Sequence, residues 1–434
     1  MITALRNATI VTVDSNDTVL ANGTIVFADG VITAVLPAGE QLTKVADITK
    51  VADITIDLHG AIVMPGLINA HTHLAMTLFR GFADDRNLQD FLDRLLPNEA
   101  RVMSEAHVRI GARLAFAESL RSGCTSALDM YWHPAAASAE ANAARFRLQT
   151  GPLFIGFDGP DNTPFEQRIK AARASGPHEW VVAHGTYTMD PTQLGVVGEL
   201  VNEWDAKFHI HASETAEEVN GAMSQHGKTP IELLEDAGLL RPGTVLAHAV
   251  VLTDDEISRI AETGTAVAHC PASNMKLASG FCRVTDLHSA GVIVGLGTDG
   301  PSSSNDLDMF AAMRCAALIH KGNQLDPTVL PANAVLRMAT IDGARALGID
   351  HLVGSLQVGK RADLIVLDAN SPSLTPSYDP ISTIVYAASR ADVVDVWVDG
   401  ERVVNNRELT TIDLQQAIAD AHAEADILRL SAGD

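Results

Sequence analysis

Between about residue 61 and residue 355, short apolar runs alternate with longer stretches of helical periodicity, the pattern of successive β/α units. Eight such runs stand out: AIVMPGLINA, CTSALDM, LQTGPLFIGF, EWVVAH, KFHIHAS, TVLAH, TAVAH and GVIVGLGTD. Most are continuously apolar, as strands buried on both faces must be. Eight parallel strands with intervening helices predict an α/β fold closed as a (β/α)8 (TIM) barrel. The chain ends have another texture. NGTIVFADGVITAV alternates around Asp29-Gly30, and ADLIVLD is followed by DVVDVWVDGERVV, which turns at Asp399-Gly400. Asp-Gly between alternating segments predicts a tight hairpin, since both central residues take positive φ. The expectation is a small β-sandwich domain built from residues 1–60 and 356–434, flanking a barrel over 61–355. A closing helix carries Leu414, Ile418, Ala421, Ala425 and Leu428 on one face. Within 44–55 the unit KVADIT occurs twice, too short for a solenoid repeat, and reads as a surface duplication.

Composition narrows the function classes. A chain of 434 residues has room for one large and one small domain, and 47% apolar with 20% charged residues places it among globular proteins. No run approaches the ~20 apolar residues of a membrane span. MITALRNATIVTVD lacks the basic and apolar blocks of a secretory leader, so the expected location is the cytoplasm. A formal net charge of −23 opposes binding to nucleic-acid polymers, whose affinity rests on lysines and arginines against phosphate. Cys124, Cys270, Cys282 and Cys315 form no CxxC pair and read as reduced thiols.

In a barrel of this kind the active site lies at the C-terminal ends of the strands. Run one ends in His71-Thr72-His73, run four in His184, run five in His211, run six in His248, run seven in His269 and run eight in Asp299. Alternate residues of a strand face one side, so His71 and His73 can grip one ion together. Two buried, hydrogen-bonded histidines would produce the same HxH. The matching strand ends favour the metal reading: imidazoles and the Asp299 carboxylate suit Zn²⁺ or Fe²⁺ and leave a position for water. Glu214, three residues beyond His211, is placed for general-base work, against the alternative of a helix N-terminal carboxylate like its neighbours Glu217 and Glu218. His209 offers a ligand in another register, but the HxxE spacing prefers His211 and leaves His209 as a deeper core residue.

The segments PGLINAHTHLAMTLFRG, HIHASET, AHAV, AHCPASNMKL and LGTDGPSSSND resemble the cytosine-deaminase-like branch of the amidohydrolases, most closely the methylthioadenosine/S-adenosylhomocysteine deaminases. The resemblance covers nearly the whole chain. It implies one divalent ion (Zn²⁺, with Fe²⁺ or Mn²⁺ as alternatives) on His71, His73, His211 and Asp299, since His184 stands where a binuclear centre would need a carboxylated lysine. It implies Glu214 as proton shuttle, His248 beside the hydrolytic water, and Asp299 as proton acceptor as well as ligand. Phe91 would stand near the purine, Glu99 would reach ribose hydroxyls and His184 would face the nucleoside. The insert carrying Phe91 is also amphipathic, with Leu88, Phe91, Leu92 and Leu95 at helical spacing, and a lid packed on its own core fits as well as a binding surface. His269 more naturally shapes its loop. Relatives commonly form homo-oligomers.

The implied reaction is hydrolytic deamination at C6 of an adenine nucleoside: methylthioadenosine, adenosine, 5'-deoxyadenosine or S-adenosylhomocysteine. In LFIGFDGPDNTPFEQR the first arginine is Arg168, the candidate substrate contact of this segment, and without a second guanidinium a carboxylate tail would be held weakly, which favours the first three. The rival in chemistry is another heterocycle, a guanine, pterin or s-triazine, because MATIDGARALGIDHLVGSLQVGKRADLI also resembles the triazine hydrolases. A non-catalytic scaffold of the same fold would have lost the ligands, which are all present.

Overall fold

A computed structural model describes residues 1–40 and 52–432. The first KVADIT copy lies outside the described residues. Five strands come from the N-terminal side: β1 (Ile2–Val11), β2 (Val19–Ala28), β3 (Val31–Leu36), β4 (Ile54–Asp57) and β5 (Ile62–Pro65). The central chain supplies β6 (Leu67–Thr72), β7 (Cys124–Asp129), β8 (Arg147–Gln149), β9 (Leu153–Phe154), β10 (Trp180–Gly185), β11 (Lys207–Ala212), β12 (Thr244–His248), β13 (Ala266–His269) and β14 (Val294–Leu296). The C-terminal side adds β15 (Leu364–Leu367), β16 (Val393–Val398), β17 (Glu401–Asn405) and β18 (Glu408–Leu409).

The central strands form two wholly parallel sheets with helices between successive strands. One runs β6-β7-β8 and the other β9 through β14 in order. All residues of β6, β7 and β12 are buried, the condition under which a strand reads as an unbroken apolar run. The Asp299 amide, just past β14, donates to the His71 carbonyl of β6 at 3.0 Å. No helix among the described residues is long and apolar enough to cross a membrane.

The chain ends meet in one nine-stranded sheet, ordered β18-β17-β16-β15-β5-β1-β2-β3 with β4 on β1. Both Asp-Gly pairs take the expected left-handed backbone: φ is 50° and 79° at Asp29-Gly30, and 50° and 76° at Asp399-Gly400. The two turns also stack. A Cβ on Gly400 would lie 2.7 Å from the Gly30 Cα, so glycine serves close approach as well as φ. Strand alternation gives the sheet two buried faces: Leu5, Ile10, Ile25, Phe27, Val63, Leu364 and Trp397 form one cluster, while Ile62, Met64, Ile365 and Leu367 join the main core.

Two apolar runs differ from the sequence expectation. AIVMPGLINA is two strands, not one: Ile62–Pro65 belongs to the terminal sheet and Leu67–Thr72 to the parallel one. Gly66 divides them because its α-carbon presses on Thr125, whose hydroxyl would stand 2.2 Å from an added Cβ. LQTGPLFIGF is likewise cut at Gly151, which packs on the Trp180 backbone, leaving the short β8 and β9.

Candidate active site

Four side chains from three strand ends converge. The His211 Nε2 lies 3.2 Å from the Nε2 atoms of both His71 and His73. Asp299 Oδ1 is 3.3 Å from the first and 3.2 Å from the second. All four ligand atoms fall within 4.8 Å of one another, and every residue is buried. The far side of each imidazole decides its tautomer. His73 Nδ1 meets the Met130 carbonyl and His211 Nδ1 the His184 carbonyl, both at 2.5 Å, so these nitrogens carry the protons. His209 Nδ1 meets the Val245 carbonyl at 2.8 Å, leaving its Nε2 to accept from His71 Nδ1, also at 2.8 Å. The three Nε2 atoms therefore converge on one centre, with the Asp299 carboxylate beside those of His71 and His73; at His73 burial lowers the pKa, but the Asp299 hydrogen bond and charge outweigh it and the net shift is upward. That donor set fits a divalent cation, and the outer partners fix ring orientation as metal sites require. Burial pushes His71 down to about 3 and His211 well below its ordinary value, which keeps both lone pairs free.

Asp299 is held from outside the cluster. Its Oδ2 accepts from Ser273 Oγ at 2.6 Å and Ser303 Oγ at 2.7 Å, and its Oδ1 from the Gly300 amide at 2.7 Å. Glu214 and His248 face each other beside it, Oε2 to Nε2 at 3.7 Å. His248 Nδ1 bonds Asn274 Oδ1 at 2.9 Å. Burial pushes Glu214 up to about 7; His248 opposes that shift while the charges of Asp299 and Glu218 add to it. Ser213, His248 and Asp299 all hold positive φ, at 52°, 71° and 62°. For non-glycine residues such backbone costs on the order of 1–3 kcal/mol each, and at His248 and Asp299 it accompanies side chains that line the site.

These groups open into a narrow cavity of about 50 Å³, roofed by the helix Leu88–Val102 through Phe91, Leu92, Leu95 and Glu99. Phe91 and Leu95 are both core and cavity wall, so the lid and binding-surface readings describe one helix face. Glu99 is buried, accepts the Tyr131 hydroxyl and, at 3.4 Å, the Trp132 indole N–H, and is pushed up to about 7 by burial. His184 lines the cavity with its ring while its carbonyl orients His211; burial pushes it down to about 3. A wider polar cavity of about 820 Å³ adjoins, sharing Leu88, Leu92, Tyr187 and Leu277 with the first. Asp190, Glu217 and Glu218 line it, and no lysine or arginine does among the described residues.

Arg168 corrects the sequence expectation. It lines neither cavity: its guanidinium pairs with Asp161 and lies over Trp132, 5.3 Å from the ring centroid, where it lines a third cavity. Its Nη1 and Nη2 are both engaged by Asp161, seven residues away, so the paired N–H edge is not free to grip a substrate carboxylate. His269 bonds His320, Nε2 to Nε2 at 3.1 Å, and does not line the inner cavity. Ser273, Asn274, Ser303 and Glu218 touch the central groups and were not singled out from sequence. The first two sit in the quoted AHCPASN motif, which was the available signal.

The sequence profile described as Amidohydrolase family matches residues 62–403. The chain is 40% identical over 424 residues to a 5-methylthioadenosine/S-adenosylhomocysteine deaminase of Syntrophobacter fumaroxidans, covering 95% of each. It is 39% identical over 433 residues to a 5'-deoxyadenosine deaminase of Methanosarcina barkeri, covering 98% of each. Among solved structures, an adenosine deaminase from Xanthomonas campestris with bound zinc superposes with a TM-score of 0.93 at 35% identity, over 99% of this chain and 98% of that one.

Proposed function

The chain belongs to the amidohydrolase family, and from that premise we propose that it deaminates adenine nucleosides hydrolytically at C6, giving the inosine analogue and ammonia. The observation that carries this is the pairing of the three-imidazole, one-carboxylate cluster with Glu214, a buried carboxyl that lines the same cavity, faces His248 and is pushed up to about 7 by burial. A group poised there both takes and returns a proton near neutral pH.

His71, His73, His211 and Asp299 would hold the ion, and its zinc identity rests on the donor chemistry and on the zinc of the Xanthomonas relative. When bound, such an ion activates water and stabilises negative charge on oxygen. Glu214 takes a proton from the attacking water and delivers it to N1 of the purine, which weakens aromatic resistance at C6. His248, fixed by Asn274, hydrogen-bonds the incoming oxygen through Nε2. Asp299, braced by Ser273 and Ser303, accepts the second proton, and its transfer to the exocyclic amine releases ammonia. Phe91 and His184 flank the base, and Glu99 binds ribose hydroxyls.

The outer cavity receives the 5'-substituent. With three carboxylates and no guanidinium or ammonium among its described lining residues, it favours methylthioadenosine, adenosine and 5'-deoxyadenosine over the carboxylate of S-adenosylhomocysteine. We read the two parallel sheets as arcs of one (β/α)8 barrel, with β8 and β9 as one interrupted strand and the Asp299–His71 bond at the seam. The terminal sheet is read as a separate β-sandwich domain, its boundary moved to Gly66 because β5 pairs with β1 and β15.

Ammonia release from a panel of methylthioadenosine, adenosine, 5'-deoxyadenosine, S-adenosylhomocysteine, guanine and an s-triazine tests the reading. The first three are expected to lead. Turnover confined to guanine or the triazine would overturn it.

A further inference from the structure

Thr215-Ala216-Glu217-Glu218 opens the helix Ala216–His226 and has the sequence of a capping box. Half of the box forms: Thr215 Oγ1 accepts from the Glu218 amide at 3.1 Å. The other half is diverted. The Glu218 carboxylate passes over the cap amide and accepts from the Glu214 amide through Oε2 at 2.6 Å and from the Ser213 amide through Oε1 at 3.2 Å. Its Oε1 also accepts the Thr186 hydroxyl from the loop after β10 at 2.7 Å. The helices capped by Asp190, Thr229 and Thr253 close the ordinary reciprocal box, so the diversion belongs to this loop.

The backbone explains the diversion. Ser213, at φ 52°, turns two successive N–H groups toward one point, forming a concave nest that binds an anion. Glu218 fills it, buried, with donors on both oxygens and neither lysine nor arginine among them. By contrast the Glu214 side chain is sparsely held, with Ser279 Oγ at 3.4 Å and His248 Nε2 at 3.7 Å. Its placement is therefore set from the backbone side.

Resting on the deaminase reading above, we propose that Glu218 is a positioning residue: clamped by Thr186, it fixes the Ser213–Glu214 backbone so that the Glu214 carboxylate stays between water and ring nitrogen. It lines the outer cavity and not the inner one, and acts through Glu214.

A double-mutant cycle on the metal-loaded enzyme tests this. Glu218→Gln keeps the shape but turns an NH₂ toward an amide N–H. The expected result is a kcat lower by about tenfold to hundredfold, with KM and metal content within about twofold of wild type, the signature of a displaced reacting group. In a Glu214→Gln background the same change is expected to cost less than about twofold, because residues acting as a unit are not additive. Turnover of all four enzymes in the cycle is followed with a 6-chloropurine nucleoside, whose chloride leaves without needing a proton. Equal losses in both backgrounds, or an unchanged kcat in Glu218→Gln, overturn the positioning role alone. If Glu214→Gln is as active as wild type on amino substrates, the shuttle assignment fails and takes the positioning role with it. Should Glu218→Gln not fold, Thr186→Val probes the same clamp: about threefold to tenfold lower kcat at unchanged KM supports it, one hydrogen bond's worth, and an unchanged kcat overturns it.

Discussion

Glu214 and Glu99 are both pushed up to about 7 by burial in the same cavity, yet their surroundings assign them different work. Glu214 faces His248 and the ligand cluster, so Glu214→Gln should retain the metal and lose ~10² to 10⁴ in kcat, as expected for a missing proton shuttle. Steady-state ammonia release with metal analysis of the same sample checks it, and a near-normal kcat removes Glu214 from the role. Glu99 is held by Tyr131 and Trp132 on the helix side of the cavity, and its charge enters the stability of the fold. The folded pKa of about 7 lies above the ordinary 4.5, so the folded chain holds the extra proton between these values. Stability is then greatest below about pH 4.5 and falls as pH rises through about 7, by on the order of 3 kcal/mol from this group. Glu99→Gln cannot ionise, so its Tm should match wild type at pH 5 and exceed it at pH 8, while KM for the nucleoside rises. A Tm difference that does not change between the two pH values would contradict the assigned shift. Residues such as His71, His211 and Asp299 could be read from the sequence because each ends an apolar run. Ser273 and Asn274 could not be assigned partners, because their bonds to Asp299 and His248 join loops whose proximity only the fold creates, and Glu218 reads as an ordinary capping-box residue until the Ser213 backbone diverts it. Arg168 shows the converse: its charge was visible, but its capture by Asp161 was not.

At the scale of elements, the Asp-Gly hairpins and most parallel strands followed from local pattern, because positive φ and two-sided burial are demands met within a few residues. What local pattern lacked was the partner. AIVMPGLINA looks like one strand, yet Pro65 and Gly66 hand the chain from one sheet to another, and only contact with Thr125 makes the glycine necessary. The stacked turns give a test of that kind of constraint. Gly400→Ala must accommodate a Cβ 2.7 Å from the Gly30 Cα while keeping φ at 76°. Strain and overpacking together should cost about 1–3 kcal/mol. Urea unfolding followed by circular dichroism should show the loss, with kcat unchanged because the turn lies outside the cavity. An unaltered midpoint would mean that the two hairpins do not bear on each other in solution.

On the scale of the whole molecule, the ligand cluster ties together parts of the chain that are far apart in sequence. His71 and His73 end β6, His211 lies on β11 and Asp299 follows β14, so any ion they share links the first and last strands of the parallel sheets. Without a cation, the three buried imidazoles crowd one another at 3.2 Å, and burial disfavours a proton on His71 and His211, so little but the Asp299 carboxylate beside His71 and His73 holds the cluster together. Binding to the folded state alone stabilises by about 2.7 kcal/mol at a hundred times Kd and about 4.1 at a thousand times. For a chain of this length that corresponds to roughly 5 °C, since the shift per kcal/mol shrinks with size. Chelation with a membrane-permeant or aqueous chelator followed by gel filtration should therefore lower Tm by about that amount and abolish deamination. Readdition of Zn²⁺ should restore both together, and His73→Ala should start from the lower Tm and gain nothing from added Zn²⁺. A chelated enzyme that keeps both Tm and activity would show that the four residues are a hydrogen-bonded cluster and not an ion site, and the proposed chemistry would have to be sought elsewhere in the fold.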